Sequence, residues 1–431
     1  MTRPDTMQSF DTDILIAGGG LAGATLALAV ARLVPDYRVT VVEAFPLSQT
    51  PASDDYQPSY DARATALSWG SRRIFERLGL WSAVERQAAP IRHIHVSEKG
   101  RLGVTRLAAS DHHQAALGYV ADNRWLGLCL MEALWAQPAV RWRAPARAET
   151  ATPVPGGTRV TLREGHDHEP GQTRTLTSRC LVVADGGRSG LRESLGIDVV
   201  QEDYGQCALI ANISTERPHR GTAWERFTDR GPMALLPQVG GPQPGHRSAL
   251  VWTLSPQALD EVLALDEAGR CERLQQVFGW RLGRITRFGE AHHYPLSLTL
   301  ARETVRPGVA LVGNAAHALH PVAGQGFNLA LRGVMALVDA FVFAHASGCS
   351  PGELPVLARY QRSHEPDQRQ TVGFSDSLVN LFAGSYPVPD VARGAGLAGL
   401  DLLPGAKRWF ARQAMGLGAG GAAADREEHW Q

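Results

Sequence analysis

The sequence predicts an α/β fold with an inserted antiparallel-sheet lobe and C-terminal helices, on three observations. An apolar strand, a glycine turn, a helix and a second strand open the chain. Two later apolar strands run into glycine-bearing loops near residues 185 and 313, and the stretch between those loops holds strand-like runs joined by a Pro/Gly turn. At 431 residues the chain is long enough for two or three domains of roughly 150 residues, or for one large nucleotide-binding domain interrupted by a second lobe.

Asp13–Ala17 is a short apolar run ending in glycines, Leu21–Leu33 has the Ala- and Leu-rich composition of a helix, and Arg38–Val42 is a β-branched run. Together they make a βαβ unit. Arg72–Ala88 reads as one helix with Ile74, Leu78, Trp81 and Val84 on a single face. Arg159–Ala184 holds two strand-like runs around the polar turn Glu164–Gln172, the second ending at Cys180–Ala184. Met233–Val239 and Ser248–Leu254 flank the turn Gly240–Gly245, which marks antiparallel sheet. Val309–Val312 is a further short strand, followed by a Gly- and Pro-rich loop and a helix from about Gly326. In that helix Val334, Leu337, Val338, Phe341 and Val342 recur at helical spacing. The chain after about Ser350 reads as helical, and Gly416–Ala424 as a flexible tail. The expected organisation is a discontinuous cofactor domain (1–75, 100–192 and 290–345), a substrate-binding lobe (76–99 and 193–289), a helical region (346–415) and a tail (416–431).

Hydrophobic residues at 44% and charged residues at 20% exclude a disordered or fibrous chain. Lys plus Arg (43) equals Asp plus Glu (43), so no net field draws the surface toward nucleic acid, and no nucleic-acid partner is expected. The five cysteines are odd in number and never closer than 27 positions, which fits neither a disulfide framework nor a zinc site, and no metal is expected. They read as reduced thiols of a cytoplasmic protein. Met1–Asp13 lacks the apolar core of a secretory signal. Ile14–Ala31 is uncharged for 18 residues, but glycines interrupt it where a strand must turn into a helix; no other stretch comes close to a membrane span.

Gly18-Gly19-Gly20-Leu21-Ala22-Gly23 satisfies G-x-G-x-x-G between a strand and a helix, a Rossmann-like dinucleotide signature. Gly18 permits the tight turn, Gly20 lets backbone approach phosphate, and Gly23 lets helix and strand pack closely. The helix N-terminus offers free N–H groups to a pyrophosphate. Glu43 lies 20 residues beyond Gly23, at a strand end where a carboxylate accepts from ribose hydroxyls. This motif alone does not separate NAD from FAD. A second strand leads into Asp185-Gly186-Gly187-Arg188-Ser189, and a third into Gly313-Asn314-Ala315-Ala316-His317, followed by His320-Pro321-Val322-Ala323-Gly324-Gln325-Gly326-Phe327-Asn328. A second strand-to-loop site so far downstream suits FAD, whose ribityl chain and ring extend past the first βαβ unit.

These three motifs resemble those of the flavoprotein aromatic hydroxylases of the p-hydroxybenzoate hydroxylase type, from Asp13 to about Leu403. Tyr60–Ser68, Leu235-Leu236-Pro237, Leu250-Val251-Trp252 and Ser375–Val379 are similar to the ubiquinone-biosynthesis branch. The third motif departs from the wider family, with Gly313-Asn314 where most have Gly-Asp; Asn still donates and accepts there. Gly333 stands where relatives often carry an acid, and it is assigned no role. The resemblance implies FAD reduced by NADH or NADPH, reaction with O2 to a C4a-hydroperoxyflavin, and oxygen transfer to the ring of a polyprenyl phenol such as 2-octaprenyl-6-methoxyphenol. The flavin carries that chemistry while the protein orients it and excludes water. A sister ring hydroxylase of different regiospecificity, an isoprenoid reductase and a non-catalytic flavin subunit stand as alternatives.

The resemblance further implies that Arg63 and Arg124 contact flavin or phosphate, with a surface ion pair as the alternative for each. Cofactor contacts are expected from Gly18, Gly20, Gly23, Glu43, Arg63, Arg124, Asp185, Gly186, Gly313, Asn314, Pro321, Gly324, Gly326 and Asn328. Gly324 and Gly326 would let a helix start approach the reduced flavin's N1–C2=O edge. No general base is identified: His317 and His320 sit in the flavin loop and a near-neutral histidine can take a phenol proton, but hydrogen-bonded loop histidines are the preferred reading. Leu236, Pro237 and Trp252 are candidates for the sheet facing the ring, with core packing equally plausible. Lys407, Arg408 and Arg412 interleave with Trp409, Phe410 and Leu417, which suits either a domain-packing helix or peripheral contact with the inner face of the cytoplasmic membrane. Other ubiquinone-biosynthesis proteins are further candidate partners.

Overall fold

The computed structural model describes residues 9–47, 64–100, 104–165, 171–228, 231–240, 243–319, 325–382, 412 and 415–416. Five parallel strands form the centre of an eight-stranded sheet, in the spatial order Val309–Leu311, Gln172–Val183, Thr12–Ala17, Val39–Val42 and Val140–Arg143. Parallel strands covered on both faces read as unbroken apolar runs, and Ile14, Leu15 and Ile16 are accordingly fully buried. Gly157–Glu164 pairs antiparallel with Gln172–Val183, and Ala146–Val154 continues that ribbon.

The helix Leu21–Leu33 packs directly on the turn that precedes it. Gly18 adopts φ +105°, and a Cβ there would stand 2.5 Å from the Ala184 carbonyl oxygen; a Cβ on Gly23 would stand 1.9 Å from the Gly18 oxygen. Neither position admits another residue without moving backbone.

A nine-stranded sheet forms the second layer system, in the order His317–Ala318, His292–Ala301, Val199–Thr215, Arg247–Leu254, Gly231–Pro237, Thr222–Thr228, His93–Glu98 and Val104–Ala108, with Ile285–Phe288 on the side of Val199–Thr215. Its pairings are antiparallel except that between Thr222–Thr228 and His93–Glu98. One face packs on the helices Pro256–Leu263 and Glu267–Phe278 through Trp252, Leu250, Leu235, Met233 and Phe278. A small sheet of Ala64–Ser68, Gly118–Asp122 and Ala88–Ile91 joins the two parts. Val104–Ala108 and His292–Ala301 fall within sequence ranges expected of the cofactor domain, yet pair into the lobe sheet.

Two further expectations change. Arg72–Ala88 is not one helix: Trp69–Arg77 stops before Gly79, which takes φ +58°, and Ala88 already begins a strand. The helix Gln325–Ala346 is long and apolar enough to span a membrane, a second such stretch beside Ile14–Ala31, but 67% of its apolar window is buried inside the protein. It is the central core helix, with Leu331, Val334, Leu337, Val338 and Phe341 buried.

Leu354–Phe382 packs against that helix through a buried polar cluster. Arg332 Nε donates to Asp367 Oδ2 at 2.6 Å and Nη2 to Thr371 Oγ1 at 3.1 Å, while Tyr360 donates its hydroxyl to the Leu311 carbonyl at 2.9 Å. Asp367→Ala leaves the Arg332 charge buried without its counter-ion and is expected to cost about 3–5 kcal/mol, read as a lower urea midpoint. Gly23→Ala, which drives a methyl group into the Gly18 carbonyl, is expected to cost about 1–3 kcal/mol in the same measurement.

Candidate active site

Parallel strands deliver their loops to one edge, and here the three motif-bearing strands are immediate neighbours. Their ends are tied together: Ala184 N–H donates to Ala17 O at 2.8 Å, Val312 N–H to Val183 O at 3.0 Å, and Gly18 N–H to Val42 O at 2.8 Å. The loops beyond open into a cavity of about 610 Å³. Gly20, Leu21 and Ala22 line it from the first motif, Ala184 and Gly186 from the second, Gly313 and Asn314 from the third, and Gly326 and Asn328 from the start of the core helix. Gly20 caps the helix Leu21–Leu33 without any side-chain hydrogen bond, so the first N–H groups of that helix are available to an anion. Glycine backbone from three loops and an uncapped helix start fit a pyrophosphate-linked dinucleotide.

The polar residues of the motifs divide into those that face the cavity and those that hold the loops. Glu43 is buried; Oε2 accepts from Gly19 N–H at 2.6 Å and Oε1 from Phe45 N–H at 3.0 Å. Burial pushes its carboxyl pKa up, against the pull of those amides. Each oxygen keeps a lone pair for a ribose hydroxyl, so Glu43 fixes the glycine loop and still presents acceptors. Asp185 accepts from the Ser189 hydroxyl and the Leu191 amide, bracing the turn into Gly190–Ser194. Asn314 is exposed toward the cavity, whereas Asn328 is committed: Oδ1 accepts from Ser68 N–H at 2.8 Å and from the Ser71 hydroxyl at 2.6 Å, and Nδ2 donates to Ala66 O at 2.8 Å. Asn328 therefore clamps the core helix to the Ala64–Ser68 strand that also lines the cavity.

Arg124 is exposed at the start of the helix Asn123–Trp135 and does not line the cavity, although its neighbour Asn123 does. Arg63, His320, Pro321 and Gly324 lie outside the described residues. His317 turns away from the cavity into the polar cluster, its ring 5.7 Å from that of His364. Burial, with His364 and Arg332 nearby, pushes its pKa down to about 3, and neither ring nitrogen has a hydrogen-bond partner among the described residues. A neutral imidazole walled off from the cavity is no base for a substrate there.

The lobe sheet supplies the opposite wall, and strand alternation decides which residues reach it. Leu236 faces the cavity, together with Pro232 and Ala234 of its strand and Ala249, Val251 and Thr253 of the next. Trp252 falls on the other parity and is buried in the core against the helices, so its placement at the ring is corrected; Pro237, one residue out of step with Leu236, is likewise not a lining residue. The wall is mostly small and apolar: Ala208, Ala223, Ala234 and Ala249 leave the space that makes the cavity. Sequence reasoning missed these alanines, and also Glu225, the one carboxylate among the described lining residues. The available signal was the inward parity of Ala223, Glu225 and Phe227, an acid within an otherwise apolar strand face.

Comparison with known proteins agrees with this geometry. A family profile described as "FAD binding domain" matches residues 11–374. The ubiquinone hydroxylase UbiL of Rhodospirillum rubrum is 35% identical over 404 residues, covering 94% of this chain and 89% of that protein. The 3-demethoxyubiquinol 3-hydroxylase of Escherichia coli is 31% identical over 415 residues, covering 95% and 100%. The crystal structure of p-nitrophenol 4-monooxygenase PnpA from Pseudomonas putida shares the fold, with a TM-score of 0.71 at 16% identity over 94% of this chain and 98% of that one. The sheet order, the three converging loops and these likenesses together show that the chain belongs to the FAD-dependent monooxygenases of the p-hydroxybenzoate hydroxylase type, in the ubiquinone-biosynthesis hydroxylase family.

Proposed function

We propose that this chain hydroxylates the aromatic ring of a polyprenyl phenol in ubiquinone biosynthesis, with 2-octaprenyl-6-methoxyphenol as the substrate. One observation carries the reading: a single cavity has the backbone of three cofactor loops on one wall and an apolar sheet face of small residues on the other. FAD, reduced by NADH or NADPH, supplies activated oxygen from O2 when bound. The chain's own residues do the rest. Gly20, Gly186, Gly313 and Asn314 border the cofactor, and Arg63 is assigned to its phosphates or ring. Leu236, Ala234, Ala249 and Val251 form a dry floor on which a phenol ring and the first isoprene units pack. That floor also keeps water from the reacting centre.

Incubation of the flavin-loaded enzyme with a short-chain prenylated methoxyphenol, NADPH and labelled dioxygen is expected to place one labelled oxygen on the ring; phenol-stimulated NADPH oxidation with no label in any product would refute the hydroxylase reading. Ala234→Phe, which fills the floor, is expected to retain bound flavin while kcat/KM for the phenol falls on the order of tenfold or more.

A lipid-tailed substrate and the basic-aromatic stretch 407–417 support peripheral membrane contact. Within that stretch Arg412 is exposed, and Lys407, Arg408, Trp409, Phe410 and Leu417 lie outside the described residues. Sedimentation with anionic liposomes at low salt is expected to carry the protein into the pellet, with release at high salt; recovery wholly in the supernatant at low salt would argue against the contact.

A further inference from the structure

Glu225 occupies an unusual position. On the strand Thr222–Thr228 it shares the cavity-facing parity with Ala223 and Phe227, and its cross-strand partner toward the centre of the sheet is Ala234. That row continues through Val251 and Ile210, so the carboxylate stands at one end of an apolar floor. Among the described residues no hydrogen bond or ion pair holds it. Arg226, next in the chain, also borders the cavity, but its guanidinium is committed to the opposite face, where Nε donates to Val277 O at 3.0 Å and Nη1 to the Ser97 hydroxyl at 3.5 Å. His95 of the neighbouring strand is on that opposite face too, its ring tilted against that of Trp224 with centroids 4.6 Å apart. On Glu225's own face that strand presents Val96 beside it and Glu98 beside Phe227; Glu98 does not line the cavity.

An acid left without a partner in an apolar cavity costs stability, and nothing in the packing of the lobe requires it. Its use must then come from what enters the cavity. A phenol ring reacts with electrophilic oxygen through its ortho and para carbons, and it does so far better as phenolate. A group that accepts the phenol proton inside the dry cavity is therefore needed, and His317 is turned away from it.

We propose that Glu225 is the catalytic base that accepts the substrate's phenolic proton, and so orients the ring by its hydroxyl. The assignment rests on the hydroxylase reading above. The phenolic O–H bond breaks, its proton passes to a Glu225 carboxylate oxygen, and the freed electron pair is delocalised into the ring. Oxygen from O2 is then added at a ring carbon, with NAD(P)H as the reductant of the other oxygen atom to water. The ring carbon loses its hydrogen as a proton, and Glu225 returns its own proton to the original phenolic oxygen. Each turnover leaves the carboxylate as it began.

Burial pushes the Glu225 carboxyl pKa up to about 7. The carboxylate is the accepting form and is populated above that pKa, so kcat/KM for a short-chain prenylated methoxyphenol is expected to rise as pH increases through about 7. Glu225→Gln keeps the shape but cannot take a proton; it is expected to retain bound flavin, lower kcat/KM on the order of a hundredfold or more, and lose that limb of the pH profile. Glu225→Asp is expected to recover part of the rate with the limb restored. A second readout does not depend on turnover: the carboxylate accepts the phenolic O–H as a hydrogen bond before it takes the proton, so the Kd of the same phenol for flavin-loaded wild type is expected to tighten as pH rises through about 7, and that dependence is expected to vanish in Glu225→Gln. A Glu225→Gln enzyme that binds flavin, hydroxylates within threefold of wild type and keeps the pH limb would overturn the proposal, as would the same pH dependence of phenol binding in both proteins. Should wild type bind flavin and phenol without forming hydroxylated product, the hydroxylase reading fails by itself, and the binding comparison still decides whether Glu225 engages the phenolic hydroxyl.

Discussion

The site depends on the adjacency of three parallel strands. Thr12–Ala17, Gln172–Val183 and Val309–Leu311 come from regions of the chain more than a hundred residues apart, yet Leu181 pairs with both Leu15 and Val309. Because parallel strands end on the same edge, their loops must meet there, and no further device is needed to gather the cofactor motifs. The adjacency is secured by apolar burial on both faces of the sheet and by a ladder that continues one residue into each loop. Most of the lobe is inserted between the second and third strands, while His93–Glu98 and Val104–Ala108 join it from between the first and second, and this edge stays intact.

The lobe contributes through a different constraint, the two-residue period of a strand. Its outer face is filled by large side chains, Trp252, Leu250 and Leu235, which pack against two helices and the Phe278 that one of them carries. The inner face carries alanines at four lining positions, and the missing volume is the cavity. A shift of one residue in register would exchange the two faces, burying Ala234 and placing Leu235 in the cavity. The antiparallel ladder through Trp224–Leu235, Leu235–Leu250 and Leu209–Trp252 fixes that register across four strands.

How much of this is legible in the sequence follows from the range of the interactions. The βαβ unit at Thr12–Val42 and the helix Leu21–Leu33 are visible because glycine geometry and apolar periodicity act over a few residues. The three cofactor loops are visible for the same reason, and so is the antiparallel pair around Gly240. The break at Gly79 is a single left-handed residue inside a helix-like pattern, which periodicity alone passes over. The placement of His292–Ala301 and Val104–Ala108 in the lobe sheet is set by pairing with distant strands, and local composition carries no trace of it. Trp252 stays open between a ring-binding wall and a core because its residue type suits both equally; only the parity relative to Leu236 separates them, and parity needs the register. Asn328 sits in a motif that suggests a cofactor contact, whereas its amide bonds to Ala66, Ser68 and Ser71, some 260 residues away in sequence.

That last contact shows how the cofactor edge is kept rigid. The core helix Gln325–Ala346 begins at the cavity, so the N–H groups and positive dipole end of its first turn act on whatever lies there. A dipole is useful only if it does not reorient when charge develops, and this one is held at two successive turns. Asn328 fastens it to the Ala64–Ser68 strand and the helix after it, and Arg332, one turn on, fastens it to Asp367 and Thr371 of the C-terminal helix. His317 and His364 lie against the same ion pair, and burial pushes His364 down to about 4 and His317 lower still, so both stay neutral across the physiological range. Neither imidazole therefore gains a charge between pH 5 and 8, and the ion pair that fixes the helix start meets no new cation beside it. Separation of a cofactor wall braced by hydrogen bonds and an ion pair from a substrate wall of small apolar residues is what the two-sheet arrangement makes possible.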